Sequence, residues 1–551
     1  MLAQFAAAAP PLVVTASRLP PVSAPIRVDA ETLESSGSVA SALAGMPNLF
    51  IAQAGGRSGF AAATLDGADP NFTLVLFDGV PINNATSSRG GAINLAEIGS
   101  FGLAGIDLLP AQLSAVHGSG ALAGVLAITP RGPADRVDVA VQGGGITRGG
   151  QTLAAGVSGP IGGGWGASLT GQIDNDGTPT PLARFVARTA VLRVVRDHGG
   201  DRLLLRFNDI DSAGFPDASG GALLATRRLA ETRRAREFLA AVRTRQILGA
   251  GLVLDLNANW LGRSDMLASP GVARAASNPN GLPASMDETR YDRLIGQASL
   301  AWTAGTTQIA AGIEGSNERG RSSGELDFGF FALPTAYRLD RAAWAGFAEI
   351  ASRAGAMSGQ GALRVDRIGS LKARLSGRVA AAVDLGDGWR VETSAGSSFK
   401  APSFYALANP LVPIRAVRDG DTISWQCPAR PALLLPDLDE RLYRLLIELQ
   451  LATHHMLAQD VMGAWCQPVQ VDIGWPAPDD AAGLAAWAGF FGVAPRFGAP
   501  QCALHYPVGW LDRAPQLANA VTAAQTSREC ARLLESLEGG AGYARRVYRE
   551  L

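Results

Sequence analysis

The most persistent pattern in this chain is an alternation of apolar and polar residues, one by one, that runs from about residue 137 to 400. It recurs in stretches of roughly 9 to 12 residues separated by Gly, Asp and Asn turns, the period-two signature of strands with two different faces. The clearest stretch sets Leu252, Leu254, Leu256, Ala258 and Trp260 against Val253, Asp255, Asn257 and Asn259. A second sets Leu203, Leu205 and Phe207 against Arg202, Arg206 and Asn208. A third sets Leu294, Ala298, Leu300 and Trp302 against Gln297 and Ser299. One face suits lipid and the other water, with Trp260 and Trp302 at strand ends as an aromatic girdle. A soluble β-sandwich also has one dry and one wet face, so alternation alone leaves both architectures open. Roughly 13 such segments fit between 137 and 400.

The flanks read differently. Residues 11 to 134 mix short apolar strands with turns: Thr73 to Phe77 runs into Asp78-Gly79, and Val125 to Thr129 stops at Pro130, as in a small α/β unit. Ser38 to Met46 has helical spacing, with Val39, Leu43 and Met46 on one side and Ser36 or Ser38 as cap, and is read as a surface helix. Beyond residue 414 the period changes to that of a helix. Asp437 to Leu457 carries Leu438, Leu442, Leu445, Leu449 and Met456 opposite Arg441, Arg444 and Glu448. A second helix is predicted from Asp479-Asp480, burying Leu484, Trp487 and Phe491, and a third over Asn519 to Leu537.

Composition sharpens this division. A chain of 551 residues exceeds one ordinary core and predicts at least two units. The 66 glycines favour many strands and turns. A net charge of −1 gives no whole-chain field directed at nucleic acid or an anionic surface. No run of 18 apolar residues predicts a helical membrane span, and a transmembrane barrel would leave no such run. Residues 1–10 are apolar without a basic stretch and are read as a remnant N-terminal segment. All four cysteines, Cys427, Cys466, Cys502 and Cys530, fall in the tail, spaced unlike a zinc site; free thiols are the first reading and disulfides the second.

Candidate chemistry is sparse. Gly118, Gly120 and Gly124 have phosphate-loop spacing without a following Lys or a dinucleotide-binding unit. His454, His455, His505 and Cys502 are read as structural, since adjacent helical histidines cannot face one ion. Trp475, Trp487, Phe491 and Phe497 are read as core, with a small-molecule pocket as the alternative. No Ser, His and Asp fall in a nucleophile-elbow pattern, so no enzyme, catalytic residue, metal or cofactor is expected.

Several motifs carry a resemblance. Val13-Val14-Thr15-Ala16-Ser17-Arg18 resembles the segment with which TonB-dependent outer-membrane receptors pair with their energiser by strand addition. Leu74 to Asn83, containing Asp78-Gly79, and Ser114 to Ile128, containing Gly118, Gly120 and Gly124, are similar to the plug domain of those receptors. Phe399-Lys400-Ala401-Pro402-Ser403-Phe404-Tyr405, followed by Asn409-Pro410, is similar to a barrel-strand signature of siderophore and cobalamin receptors. The tail motifs Val417 to Ile423, Trp475 to Pro478, Phe491 to Pro500 and Ala503 to Pro507 resemble the effector-sensing domain of AraC-type transcriptional regulators.

These resemblances imply a mainly β chain: a plug over 11–134, an incomplete antiparallel transmembrane β-barrel over 137–410, and a small mixed α/β segment over 415–551 without a helix-turn-helix. Such transporters close about 22 strands around the plug, and Val547 to Leu551 differs from an outer-membrane final strand. Val13, Val14, Thr15, Ala16 and Ser17 would engage a TonB-like energy-transducing protein, in an outer-membrane receptor for a siderophore- or cobalamin-type ligand. Two departures bear on plug anchoring: Asp66-Gly67 stands where the family has Arg-Gly, and Leu109-Pro110-Ala111 where it has Arg-Gly-Pro, which predicts a loosely held plug. From 414 to 551 there are 12 Arg, no Lys and 15 Asp or Glu, so direct nucleic-acid binding is not expected. The alternatives are a cytoplasmic AraC-type sensing module, or a non-functional gene fusion joined near Pro410 to Arg415.

Overall fold

The computed structural model describes residues 25–53, 56–109, 114–146, 149–178, 182–196, 200–215, 229–273, 282–327, 332–369, 371, 373–386, 389–408, 415–427, 440–510 and 513. It divides into two compact units, Met1–Ala408 and Asn409–Leu551. The segments 1–10, Val13 to Ser17 and Asn519 to Leu537, together with Cys530, lie outside the described residues.

In the first unit, the plug is a five-stranded mixed sheet with a small hairpin beside it. Its strands are β1 (Ile26–Asp29), β2 (Leu49–Gln53), β3 (Ala61–Leu65), β4 (Thr73–Phe77), β5 (Val80–Pro81), β6 (Leu103–Leu109) and β7 (Gly124–Pro130). The order is β1-β6-β7-β4-β5, with β4 and β7 parallel, and β2 pairs with β3. Every residue of Thr-Leu-Val-Leu-Phe in β4 is buried, which is why that strand is a continuous apolar run with no alternation. Helix α1 (Ala30–Ser35) is capped by Asp29, and the single turn α2 (Val39–Leu43) by Ser38. Val39, Ala40, Ala42 and Leu43 are all buried, so the predicted surface helix is an internal turn. The four residues of α3 (Ser114–His117) precede the glycine-rich stretch that leads into β7.

Around the plug runs one antiparallel ladder. Its strands are β8 (Asp138–Ile146), β9 (Gly150–Gly162), β10 (Trp165–Asn175), β11 (Arg184–Arg196), β12 (Asp201–Gly214), β13 (Glu231–Gly249), β14 (Leu252–Ser269), β15 (Ala284–Ala304), β16 (Thr307–Asp327), β18 (Tyr337–Ala354), β19 (Met357–Ile368), β20 (Arg374–Gly386) and β21 (Trp389–Gly396), with the short β17 (Ala332–Pro334) added to β16. Among the described residues, β8 and β21 stand at opposite ends of the path and do not pair. Connections at one edge are as short as two residues (163–164, 250–251, 305–306, 355–356), while at the other they run over 215–230 and 270–283. The central strands reach 21 residues, twice the length that the alternation predicts, because the period continues after the outward residues cease to be apolar.

The two faces of this ladder are inverted relative to a soluble domain. The inner face buries Arg206, Asn208, Glu237, Asp255, Arg293 and Arg364, whereas Val141, Leu169, Leu294, Ile313, Trp344 and Val379 are exposed on the outer one. Leu252 pairs with Trp302, and Trp260 lies eight positions further along β14, about 27 Å of strand. Past the Trp260–Leu294 pair, the outward positions of β15 are Asp292, Arg290 and Glu288, and exposed ion pairs such as Arg188–Asp209 (2.9 Å) and Arg236–Asp209 (3.0 Å) take over. Trp302 stands two residues from the end of its strand, whereas Trp260 is in mid-strand, so the girdle position predicted for Trp260 is corrected: it marks the far border of the apolar band, not the strand end.

The second unit is a five-stranded sheet in the order β22-β23-β26-β24-β25 with two helices. Its strands are β22 (Arg415–Asp419), β23 (Thr422–Gln426), β24 (Gln470–Ile473), β25 (Arg496–Phe497) and β26 (Ala503–Pro507). Helix α4 (Phe404–Ala408) closes the first unit, and α5 (Glu440–Met462) and α6 (Ala481–Phe491) belong to the second. Helix α5 buries Ile447, Leu451 and His455 against Val471, Ile473, Phe491 and Leu504. Met456, predicted on the buried side, is exposed, because the apolar stripe follows Ile447, Leu451 and His455 at four-residue steps and Met456 is one position round from it. Leu484 of α6 is also exposed, while Trp487 and Phe491 pack inward with Trp475 and Phe497, in the core as expected. Asp480 caps α6 and Gly492 ends it at φ +73°.

Candidate functional site

The interface between plug and ladder holds predicted residues of the plug and barrel motifs, while Gly124 opens β7 inside the plug sheet and Val13 to Ser17 lie outside the described residues. Asp78 and Gly79 form the two-residue turn of the β4–β5 hairpin, both with positive φ (+49° and +83°), the geometry that favours Asp-Gly. The turn delivers the Asp78 carboxylate to two wall arginines: Arg202 Nη1 donates to Oδ1 at 2.9 Å, and Arg193 Nε lies 3.3 Å from Oδ2. Glu97, in a 3-10 turn capped by Asn94, enters a second buried network with Arg233 and Arg263, which also engage Asp265 and Glu237. Burial pushes the Glu97 carboxyl up, but Arg233 and Arg263 outweigh it and hold it below the usual carboxylate range. Arg57 reaches out from the plug to Asp174 and Asp176. The prediction of a loosely held plug is therefore corrected. The buried guanidinium forks are present, but most stand on the wall and the carboxylates on the plug.

Phe399 to Ser403 do not form a strand. After Gly396 the chain leaves the ladder and lies irregularly on the plug, before the short α4. Gly120 N donates to Phe399 O (3.2 Å), Ala401 N to Ser119 Oγ (2.8 Å) and Phe404 N to Ala85 O (2.8 Å). Lys400 Nζ donates to the carbonyls of Asn71 and Gly90, and burial lowers its pKa to about 8. Gly118, Gly120 and Gly124 all adopt positive φ. At Gly118 a Cβ would stand 3.0 Å from Arg364 Nη2, so the glycine lets the plug loop approach the wall.

Between these elements lies a cavity of about 160 Å³, lined on the plug side by Asn83, Asn84 and His117, on the wall by Tyr291, Arg293 and Arg364, and by Lys400. Arg293 donates to the carbonyls of Pro81 and Asn83, and Glu318 accepts from Tyr291 (2.5 Å) and Arg341 (2.7 Å). His117 is driven down to about 3, first by burial and then by the cations of Arg364 and Arg378, so its ring is neutral. The structure places Asp78 and Gly118 against the wall, and Gly120 against the Phe399 to Ala401 segment that follows it. Glu97, Arg293, Arg341 and Arg364 were not singled out by sequence; the only signal was their place on the polar face of alternating strands or, for Glu97, none.

Residues 20–125 match a family described as the TonB-dependent Receptor Plug Domain, and residues 403–515 one described as the arabinose-binding domain of AraC transcription regulators, N-terminal. Among curated proteins none matches the chain significantly. Solved structures similar to the chain include the ferric citrate transporter FecA in its unliganded form (TM-score 0.56, 13% identity, 68% of this chain and 63% of that one). Others are the ferric yersiniabactin uptake receptor FyuA from Yersinia pestis (0.53, 17%, 67% and 63%) and the copper transporter OprC (0.54, 14%, 74% and 71%). The chain thus spans about 63% of the length of FecA. It joins a TonB-dependent receptor plug, set in a ladder with the fold of such receptors, to an arabinose-binding domain of the AraC type.

Proposed function

We propose that the first unit works as an outer-membrane receptor that takes up a scarce ligand by TonB-dependent energised transport, with no chemistry on the ligand. The observation that carries this reading is the inversion of the ladder. An apolar outer band lies between Trp302 and Trp260, and the charged inner face is filled by a plug bound through Asp78 and Glu97. The named neighbours transport ferric citrate, ferric yersiniabactin and copper; for this chain a siderophore-type or cobalamin-type ligand is the corresponding proposal. In this reading residues 11–134 are the plug domain and 137–410 the barrel part. Val13 to Ser17 pair with the energiser by strand addition, and a pull on that segment rearranges the plug beneath the cavity. Cell fractionation tests the reading. Recovery from the outer membrane with heat-modifiable migration supports it, and a wholly soluble protein overturns it.

A second reading concerns residues 415–551: a ligand-sensing or dimerisation module, favoured by a buried apolar cluster around Ile447, Leu451, Val471 and Leu504 among the described residues.

A further inference from the structure

On the outer face of β11, β12 and β13, just beyond the aromatic border of the apolar band, arginines outnumber acids. Arg188 of β11 faces Asp209 of β12, which in turn faces Arg236 of β13. On the next row Asp211 faces Arg234, with Arg184 diagonal to it. Each aspartate is shared between two arginines. Asp209 accepts from Arg188 Nη1 (2.9 Å) and Arg236 Nε (3.0 Å), and Asp211 pairs with Arg184 (2.5 Å) and Arg234 (4.0 Å). The flanking outward positions are uncharged: Ile173 and Asn175 face β11 from β10, and Ser264 and Met266 face β13 from β14. Glu231 and Glu237 fall in the inward set of β13, with the buried Ala235 and Leu239. Residues 216–228, which follow β12, contain one Asp and two Arg, so they bring no net negative charge. Two positive charges are left over among the described residues. Further round the same border the outward charges balance: Arg290, Arg319, Arg321 and Arg338 stand among Glu288, Asp292, Glu325 and Asp340.

The depth of the cluster identifies what faces it. Phe207 and Phe238 are opposite each other on the row next to Asp209 and Arg236, both exposed, and the Phe238 ring lies 5.7 Å from that of Trp260. One row is two residues, about 7 Å of strand. A bilayer's headgroup layer is about 5–7 Å thick on each side of its hydrocarbon core, so the guanidinium groups emerge among headgroups. Arg234 and Arg236, each 75% exposed, are open to them. The cluster lies at the end of the ladder with the long connections 215–230 and 270–283, the end that faces outward in outer-membrane barrels. Like charges on neighbouring strands repel, and an anion from the surroundings relieves the excess. A phosphate monoester carries about −1.5 to −2 charges near neutral pH, which matches the two left over, and the guanidinium fork fits its oxygens.

We propose that Arg184, Arg188, Arg234 and Arg236 bind the phosphomonoester headgroup of a lipid in the outer leaflet. This rests on the reading of the ladder as a membrane wall, and assigns that wall a lipid site remote from the plug and the cavity.

The test uses the full chain in detergent micelles, mixed with phosphatidic acid as the monoester probe, phosphatidylglycerol as a singly charged diester and phosphatidylcholine as the neutral reference, with retained lipid read by native mass spectrometry. Phosphatidic acid should be retained in preference to the other two. Arg188→Gln with Arg236→Gln should weaken its retention about tenfold or more. Arg353→Gln, exposed at the opposite border of the band, should leave it unchanged. Asp209→Asn raises the surplus and should tighten retention, whereas a residue that served only to hold the strands together would weaken it. Unchanged retention in the double variant, equal retention of phosphatidylglycerol, or displacement of the lipid by an equal concentration of inorganic phosphate each overturns the proposal. If the double variant does not fold, weaker retention in Asp209→Asn overturns it instead. Fractionation separates this inference from the transport reading: outer-membrane protein that retains no phosphatidic acid sinks the lipid site and leaves transport standing, while wholly soluble protein sinks both.

Discussion

Arg202 holds Asp78 twice over: Nη1 donates to the carboxylate Oδ1 at 2.9 Å, and Nη2 to the Asp78 carbonyl at 3.2 Å, across 124 residues of chain. The pair is closed by a turn that only a short side chain followed by glycine adopts readily, so the strand-turn motif of the plug and an arginine of the wall depend on each other. Asp78→Ala should leave Arg202 buried with Arg193 beside it and without its ion-pair partner, a loss of about 3–5 kcal/mol. Urea unfolding in detergent measures it, and combining Asp78→Ala with Arg202→Met should recover a substantial part.

Acid should weaken the plug contacts through two groups of the same sign. His117 has an ordinary pKa of 6.5 and about 3 in the fold, so between those values the unfolded chain binds the extra proton and stability falls as pH drops. Glu97, held below its ordinary range, contributes stability above that range that is lost as pH falls through its lowered folded value. Thermal midpoints of the parent should therefore decline on acidification from pH 6.5, and His117→Gln should flatten the upper part of that decline. An unchanged slope would remove His117 from the account.

The outer face gives a test of its solvent. Ile313 is 64% exposed in mid-band on β16. If lipid covers it, Ile313→Arg should cost about 2–4 kcal/mol in a bilayer folding assay. If water covers it, the same change should be near neutral and should raise solubility.

In the second unit, the buried thiols should be inert. Burial raises the Cys427 thiol to about 12, with Cys502 adding to it, and raises Cys466 and Cys502 as well. On a Cys530→Ser background, maleimide at pH 8 should label none of the three until denaturant is added. Fast labelling of the native protein would contradict the packing described.

Leu451 is fully buried between α5 and the sheet. Leu451→Ala should cost about 2–5 kcal/mol, seen as an earlier unfolding transition of the full chain by the fluorescence of the surrounding tryptophans.

The ladder was legible in the sequence because a strand's side-chain period is fixed by its backbone, so Leu252 to Trp260 showed two faces before any partner was known. The pairing of those faces with the plug was not. Glu97 meets Arg263 across 166 residues, and nothing local distinguishes Arg263 from any other polar-face arginine. For Phe399 to Ser403 the sequence offers only a likeness to a barrel-strand signature; their departure from the ladder depends on contacts with Ser119 and Gly120 that are remote in the chain. In α5 His455 is buried, with Nε2 3.1 Å from Phe490 O, where the sequence offers Met456 as the more apolar neighbour; the side chains of Leu438, Leu442, Leu445 and Leu449 lie outside the described residues.

The path from β8 to β21 contains 13 strands, every neighbouring pair antiparallel. Its two terminal strands therefore point the same way, and the ladder has a parity. Sealed directly on itself it would have one parallel seam. Antiparallel at both seams, it accepts only an odd number of further strands, whatever polypeptide supplies them, and the nine that would bring it to about 22 satisfy that condition.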